Sequence, residues 1–215
     1  VFFQNPDDAA EFANRGILPG SITPHIVNGS GIDTVAFAQA PLPDGPIRFL
    51  LIARLLEDKG IREFARAAKA LKDLDILAEF HLVGPVDTNP TGLSENTVKK
   101  WHDEGILVWH GSLSDVRPVI SSAHVYVLPS YREGTPRTVL EAMSMGRPVI
   151  TTDAPGCRET VVDGINGFLV PVRESEAVAD AMRKFIDSPH LISQMGAQSR
   201  RIAEEKYDVR KVNAQ

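Results

Sequence analysis

Two glutamates stand where a predicted strand leads into a predicted helix. Residues 125–128 form an apolar run typical of a buried strand, and residues 139–145 carry apolar side chains at helical spacing. Glu133 lies in the intervening loop and Glu141 about five residues inside the helix, an axial offset of roughly 7 to 8 Å. At that separation one carboxylate can accept hydroxyl hydrogen bonds from a sugar and the other from a ribose. As an alternative, both are solvated surface glutamates whose spacing arises by chance.

The loop between these glutamates is predicted to bind an anion. Thr135 is a suitable N-cap, and Pro136 suits the first turn of a helix. The N–H groups that start the helix are therefore expected at the carboxyl end of a strand, where open α/β sheets bind ligands and helix amino ends attract phosphate. The residues assigned to this contact are Gly134, Thr135, Pro136, Arg137 and Thr138.

Two cations follow the first strand of the predicted main sheet. Arg54 and Lys59 lie in the short stretch after residues 47–53. Arginine can bind phosphate in a bidentate manner and lysine acts as a mobile point charge, so the two can neutralise a diphosphate leaving group. In the alternative interpretation they are surface cations paired with Glu57 and Asp58.

The sequence contains no motif for several other common kinds of binding or catalysis. No Gly-x-Gly-x-x-Gly follows the first sheet strand, and no Walker-type phosphate loop or Gly-x-Ser-x-Gly nucleophile elbow occurs. The six histidines lack metal-ligand spacing, so no metal site is predicted. His110 ends a strand near the ligand edge but is expected to be a hydrogen-bonded structural residue. Cys157, the only cysteine, excludes an internal disulfide and is expected to be inert.

The composition is that of an ordinary globular protein. The chain has 215 residues, of which 43% are hydrophobic and 24% charged, and its net charge is −5. This balance lacks the overall basic field of nucleic-acid binders, so no nucleic-acid partner is expected. The sequence has no apolar run of membrane-spanning length and no signal-peptide pattern. With its single cysteine, it is expected to be a cytoplasmic protein.

Apolar runs alternate with helical patterns along most of the chain. The predicted strands are residues 47–53, 76–83, 106–109, 125–128, 148–151 and 167–170. The predicted helices are residues 61–71, 93–104, 115–123, 137–145, 174–187 and 190–206. This alternation predicts an α/β fold with a Rossmann-like, doubly wound parallel sheet of about six strands.

The first 46 residues are predicted to lie outside that sheet. A cluster of prolines and glycines makes residues 41–46 a linker, so the main domain is assigned to residues 47–215, with a terminal helix at 190–215. Before the linker, residues 1–3 and 22–27 are predicted strands and residues 7–15 a predicted helix. A lone strand at residues 1–3 needs a sheet that this chain does not supply. Residues 1–40 are therefore interpreted as a remnant of an amino-terminal domain and an interdomain segment, and the chain as a fragment.

Taken in order, the motifs resemble the carboxyl-terminal domain of the group 1 glycosyltransferases of family 4, which have the GT-B fold. They are Asn28, Gly29, Ile32 and Asp33; residues 54–60; residues 82–84; residues 133–141; Ala142, Met143, Gly146, Pro148 and Val149; Gly156, Glu159 and Val161; and Asp163, Gly164, Asn166, Gly167 and Leu169. The Gly-Cys-Arg-Glu wording at residues 156–159 departs from the forms that many members carry.

The resemblance implies a role for each candidate residue. Arg54 and Lys59 would hold the donor diphosphate, Glu133 and the backbone of residues 134–137 would face the donor sugar, and Glu141 would take the ribose hydroxyls. The family it resembles is retaining and independent of metal, with the cations stabilising the departing diphosphate in place of a divalent ion. No cofactor is therefore expected. The commonly proposed route is front-face displacement, in which Glu133 orients the donor rather than attacking it.

The context of residues 130–137 is most similar to bacterial capsule, exopolysaccharide or lipid-linked oligosaccharide transferases. A UDP-hexose or UDP-N-acetylhexosamine is the expected donor. An undecaprenyl diphosphate-linked sugar at the inner face of the plasma membrane is the expected acceptor, bound through an amino-terminal domain. The fragment alone is expected to bind nucleotide without transferring sugar. Two alternatives stay open: a GT-B-like nucleotide-sugar epimerase or hydrolase, and a non-catalytic nucleotide-sugar binding module.

Overall fold

The structure is a computed structural model that describes residues 1–19 and 22–214. Gly20 and Ser21 of the predicted appendage lie outside the described residues, as does Gln215, the last residue of the predicted main domain and terminal helix. The described chain forms a six-stranded parallel sheet flanked by helices and a small two-stranded parallel sheet near the amino terminus.

The order of the strands creates a switch point in the larger sheet. The strands are β1 (Phe2–Phe3), β2 (His25–Ile26), β3 (Ile47–Ile52), β4 (Ala78–Val83), β5 (Val108–Trp109), β6 (Val125–Leu128), β7 (Val149–Thr152) and β8 (Gly167–Val170). The larger sheet runs β5-β4-β3-β6-β7-β8. The strand order therefore reverses between β3 and β6. Ligands of open α/β sheets bind outside the carboxyl ends of the strands at such a point.

The helices connect these strands. They are α1 (Pro6–Asn14), α2 (Ile61–Asp73), α3 (Glu95–Asp103), α4 (Arg117–Ser121), α5 (Arg137–Ser144), α6 (Ser175–Asp187), α7 (His190–Ile202) and α8 (Val209–Val212). α2 packs against α6, and α5 packs against α7. The Rossmann-like, doubly wound α/β fold predicted from the sequence is confirmed.

The burial of the central strands explains why the apolar runs in the sequence predict them. All four residues of β6 are buried, and Phe49, Leu50 and Leu51 of β3 have no exposed surface. Parallel strands covered on both faces are continuously apolar rather than alternating. Strand ends differ from the prediction by one or two residues. β4, for example, begins at Ala78 rather than at residue 76, because Leu77 is exposed.

The amino-terminal segment has its own small sheet. β1 and β2 pair in parallel, with Phe2 opposite His25 and Phe3 opposite Ile26. The expectation that a strand at residues 1–3 lacks a partner in this chain is therefore wrong. β2 is also shorter than the strand predicted at residues 22–27, since it covers only His25–Ile26.

The carboxyl-terminal segment is not one helix from residue 190. α7 ends at Ile202, a π-helical turn follows at Ala203–Tyr207, and Asp208 then caps α8 by accepting from the N–H of Arg210. Asp208 also accepts a hydrogen bond of 2.7 Å from the hydroxyl of Thr34. The chain turns at Asp208 because its side chain is hydrogen-bonded to Thr34. This turn ends the helical pattern.

Two arginines attach residues 34–41 to the main sheet domain. The guanidinium of the buried Arg147 donates to the carbonyl oxygens of Ala40 and Pro41 at 3.1 and 2.8 Å. Arg200 donates to the carbonyl oxygens of Thr34 and Phe37 at 3.1 and 3.0 Å. The segment before the predicted linker thus packs on the domain. The domain boundary at residues 41–46 stays a prediction.

Candidate functional site

The loops that follow β3 and β6 meet at the switch point. Gly60 follows the 3-10 turn Glu57–Lys59 with a φ of 68°, and a Cβ added there would lie 2.0 Å from the carbonyl oxygen of Pro129. Only glycine allows both the left-handed conformation and this close approach. The contact brings Lys59 and Glu133 to the same edge of the sheet.

Lys59 and Glu133 form an ion pair at this edge. The Nζ atom of Lys59 lies 2.7 Å from Oε1 of Glu133, and each side chain is 16% exposed. Partial burial makes this attraction stronger than that of a fully solvated pair. The pair borders a cleft whose lining residues are Ile52, Ala53, Arg54, Lys59, Leu128, Glu133, Pro136, Arg137 and Thr138.

Arg54 lies on the same cleft but faces another carboxylate. Its guanidinium donates to Oδ2 of Asp87 at 3.0 Å, and its side chain is 63% exposed. The alternative that Arg54 and Lys59 pair with Glu57 and Asp58 is wrong, because both partners come from other loops. Sequence reasoning missed Asp87, although its place soon after β4 would have put it at the same sheet edge.

The helix at the cleft begins later than the capping pattern predicts. α5 starts at Arg137, and Pro136 occupies the N-cap position without a side-chain hydrogen bond. The prediction of Thr135 as N-cap and Pro136 in the first turn is therefore wrong. The Thr135 hydroxyl instead donates to the carbonyl oxygen of Gln4 at 3.4 Å. Within residues 1–19 and 22–214, the N–H groups of Gly134 and Thr135 have no hydrogen-bond acceptor, so two backbone donors just before α5 remain available to a ligand or to water.

Glu141 lies one turn inside α5. Its side chain is 9% exposed, and Oε1 accepts a hydrogen bond of 3.1 Å from Nε of Arg137. Burial raises the pKa of the Glu141 carboxyl, and the bond from Arg137 opposes this shift. A buried carboxylate with a single cationic partner retains capacity to accept hydroxyl donors.

Tyr126 supports the start of α5 from the sheet. Its hydroxyl donates to the carbonyl oxygen of Ile52 at 3.1 Å and lies 2.7 Å from Oγ1 of Thr138. Burial raises the pKa of Tyr126, so the hydroxyl remains protonated. Sequence reasoning missed this residue, although a tyrosine inside an apolar strand signals a buried hydroxyl that needs a partner.

The turn that carries Glu133 is packed between two other segments. A Cβ on Gly156 would lie 1.9 Å from the carbonyl oxygen of Glu133, and a Cβ on Gly134 would lie 2.3 Å from Oε1 of Gln4. The N–H of Glu133 donates to the carbonyl oxygen of Pro155 at 3.0 Å. Gly156 therefore allows its loop to close on the turn, because the contact there is with backbone and its φ is 81°. At Gly134 the contact is with the end of the flexible Gln4 side chain.

The candidates away from the cleft have structural partners. His110 lies 2.9 Å from His81, nitrogen to nitrogen, which confirms its expected hydrogen bond. Cys157 is buried, and burial raises the pKa of its thiol to about 11, which confirms the expectation of an inert side chain. The described residues contain no cluster of three or more histidine, cysteine, aspartate or glutamate side chains suited to a metal ion. None of their helices has the length and apolar character that a bilayer crossing requires.

Two solved structures superpose on this chain over its whole length. Sucrose-phosphate synthase from Thermosynechococcus elongatus superposes with a TM-score of 0.86 at 22% identity, over all of this chain and 56% of that protein. HepE from Anabaena, solved with UDP and glucose, superposes with a TM-score of 0.84 at 20% identity, over all of this chain and 61% of that protein. At these identities the likeness establishes the fold.

Curated relatives are similar in sequence over about two thirds or more of this chain. The N,N'-diacetylbacillosaminyl-diphospho-undecaprenol α-1,3-N-acetylgalactosaminyltransferase of Campylobacter jejuni is 32% identical over 142 residues, 66% of this chain and 36% of that protein. The capsular polysaccharide biosynthesis glycosyltransferase CapM of Staphylococcus aureus is 29% identical over 157 residues, 73% of this chain and 41% of that protein. The aligned part is thus less than half of each relative.

The family match covers the whole cleft. The family model described as glycosyl transferases, group 1, matches residues 46–188, which include every residue of the cleft from Ile52 to Thr138 and also Glu141. The chain belongs to the group 1 glycosyl transferases.

Proposed function

We propose that this chain is the donor-binding part of a retaining, metal-independent glycosyltransferase. The enzyme would move a hexose or N-acetylhexosamine from a UDP-sugar to a polysaccharide or lipid-linked glycan acceptor. The observation that carries the proposal is the Lys59–Glu133 pair, with Arg54 beside it, on a cleft at the sheet's switch point. Ligands of doubly wound sheets bind at this place.

The cations of the cleft suit a diphosphate leaving group. Lys59 and Arg54 each have one carboxylate partner, and a diphosphate offers more negative charge than that carboxylate. Charge that develops on the diphosphate as the sugar bond breaks is stabilised by such fixed cations. In this mechanism the departing phosphate takes the proton of the acceptor hydroxyl on the same face of the sugar. No step requires a metal ion or another cofactor.

Each remaining group contacts one part of the donor. Glu133 and the N–H groups of Gly134 and Thr135 face the sugar, and Glu141 accepts the ribose hydroxyls. Pro136, Arg137 and Thr138 at the start of α5 contact the nucleotide part. In support, Glu141 is buried with one cationic partner, and the two N–H groups lack an acceptor within the described residues. Glu133 orients the sugar, because its pairing with Lys59 suits an acceptor of hydroxyl hydrogen bonds better than a nucleophile.

The donor and acceptor classes follow the names of similar proteins. One relative is named for transfer to an undecaprenol-linked diphosphate, another for capsule synthesis, and one similar structure holds UDP and glucose. A UDP-sugar and a glycan or undecaprenyl diphosphate-linked acceptor are therefore the proposed substrates. The acceptor would bind through a further domain, and the enzyme would work in the cytoplasm at the inner face of the plasma membrane.

Calorimetric titration of this chain without metal tests the proposal. UDP, GDP, ADP and a panel of UDP-sugars are the ligands, and Arg54→Ala and Glu141→Ala are the variants. Binding of UDP that is weakened in both variants is the expected result. Equal affinity in the wild type and both variants would contradict the site assignment. With the full-length enzyme, a free epimer or free sugar formed without acceptor would favour an epimerase or hydrolase instead.

A further inference from the structure

Asn5 connects the amino-terminal segment to the turn that carries Glu133. Its side chain is fully buried, and Nδ2 donates to the carbonyl oxygens of Gly134 and Glu133 at 3.2 and 3.4 Å and to Oδ2 of Asp8 at 2.9 Å. Its Oδ1 accepts from the N–H of Asp8 at 2.8 Å, which caps α1. Both ends of this buried amide are thus engaged, and its orientation is fixed.

The two carbonyl groups that Asn5 holds determine where two N–H groups point. The Glu133 carbonyl shares its peptide plane with the N–H of Gly134, and the Gly134 carbonyl shares its plane with the N–H of Thr135. In a planar trans peptide the C=O and N–H bonds point in opposite directions. With both carbonyls turned toward Asn5, both N–H groups turn away from it. These are the donors that have no acceptor within the described residues.

Ion pairs hold α1 in place against the same turn. Arg132, next to Glu133, pairs with Asp8 and, at 2.5 Å, with Glu11. Arg158, in the loop that packs on the turn through Gly156, pairs with Asp7 at 3.0 Å. Each of these exposed pairs contributes little alone, but together they fix the helix from both sides of the turn. Asn5 at the start of α1 is therefore held in place.

We propose that Asn5 is a positioning residue of the donor site, which orients the N–H groups of Gly134 and Thr135 toward the sugar end of a nucleotide-sugar. This inference rests on the donor-binding function proposed above. Asn5 acts through the backbone of the turn and does not touch the donor. Without its amide the two peptide units can rotate, so the sugar contact weakens while the diphosphate contact of Lys59 remains.

Three variants separate this role from simple support of the fold. Asn5→Ser keeps an oxygen that can cap α1 but removes the amide donor, and Asn5→Ala removes both. Asn14→Ala is the control, because Asn14 is an exposed residue of the same helix. In amide NMR spectra of the ligand-free chain, the Gly134 and Thr135 signals should shift in both Asn5 variants and stay unchanged in the control. Unchanged signals in Asn5→Ser would overturn the inference.

Calorimetry with UDP, UDP-glucose and UDP-N-acetylglucosamine then tests the consequence for the donor. In Asn5→Ser the Kd of the preferred UDP-sugar should rise about 3- to 10-fold, the effect of one hydrogen bond, while the Kd of UDP changes by less than about twofold. An equal rise for UDP and the UDP-sugar would show a general structural defect and overturn the inference. A wild-type chain that binds none of the three would contradict the proposed function, and the NMR spectra alone would then decide whether Asn5 orients the turn.

Discussion

Two groups of cations in this chain are held in different ways. Arg147 and Arg200 are packed into the domain and donate mainly to backbone carbonyl oxygens. Arg54 and Lys59 stand on an open cleft, and each has one carboxylate partner. A cation surrounded by carbonyls has no room for another ligand, whereas a cation paired with a carboxylate at a cleft can exchange it for a phosphate. The kind of acceptor and the access to solvent thus distinguish the structural cations from those proposed to bind a ligand.

Replacing the buried cation should have the largest effect on stability. Arg147→Met leaves the carbonyl oxygens of Ala40, Pro41, Ile120 and Ser121 without its hydrogen bonds. We expect the free energy of unfolding to fall by about 3 kcal/mol, because four acceptors that are buried or partly buried lose a donor and each loss costs about 1 kcal/mol. Urea unfolding measures this loss, and the affinity for UDP should stay the same. A loss below about 1 kcal/mol would break the distinction between the two groups.

Replacing the cleft cation Lys59 should instead weaken UDP binding and leave the free energy of unfolding nearly unchanged. Lys59→Met should raise the Kd of UDP by about 10- to 100-fold, because a charge-assisted contact to phosphate is lost. The free energy of unfolding should change by less than about 1 kcal/mol, since one partly exposed ion pair is removed. Lys69→Met is the matched control, because Lys69 pairs with Asp73 on the exposed face of α2. Calorimetry that gives both variants the same Kd for UDP would contradict the assignment of Lys59.

The buried carboxylate of α5, Glu141, should favour binding at the expense of stability. Since burial raises the pKa of Glu141, the folded chain binds this proton more tightly, and its stability decreases as pH rises through the raised pKa. Glu141→Gln should therefore raise the free energy of unfolding at pH 7, by up to about 1 kcal/mol, and weaken UDP binding about 3- to 10-fold. Glu95→Gln, on the exposed pair with Lys99, serves as the control. A variant that is both less stable and fully able to bind UDP would exclude this role.

The smallest effect is expected at the two stacked histidines on β4 and after β5. Burial lowers the pKa of His81 and of His110 below the ordinary 6.5, with Glu79 opposing the shift at His81 and Arg48 adding to it. The unfolded chain therefore binds more protons below pH 6.5, and stability decreases as pH falls from 7 to 5.

A matched pair of histidine variants checks this pH dependence. In His110→Gln, the decrease in the free energy of unfolding between pH 7 and pH 5 should be smaller than in the wild type, by about 1 kcal/mol or less. Urea unfolding at the two pH values measures this difference. His190→Gln, at an exposed position, is the matched control. An identical slope in both variants would show that the histidine contact does not contribute.

The sequence predicted those parts of the molecule that neighbouring residues encode. The six central strands were readable because buried parallel strands are continuously apolar, and the strand ends then placed Arg54, Lys59 and Glu133 at one edge. Glu141 followed from its place in the helix after β6. These predictions required only local patterns and the rule for where such sheets bind ligands.

The parts that it could not predict depend on contacts between distant segments. Asn5 and Gly134 are 129 positions apart, and no local pattern links them. Thr135 fits the capping rule, but Gln4 takes its hydroxyl bond and the helix starts later. The pairing of Arg54 with Asp87 likewise needs the fold, since Glu57 and Asp58 lie nearer in sequence.

A crystal structure of this chain with UDP would show whether the cleft binds the donor diphosphate. We expect the diphosphate to lie in the cleft between Lys59 and the amino end of α5, with the Nζ atom of Lys59 bonded to a phosphate oxygen. Glu141 should accept the ribose hydroxyls. UDP bound elsewhere, with the 2.7 Å Lys59–Glu133 pair intact and the cleft unused, would contradict it.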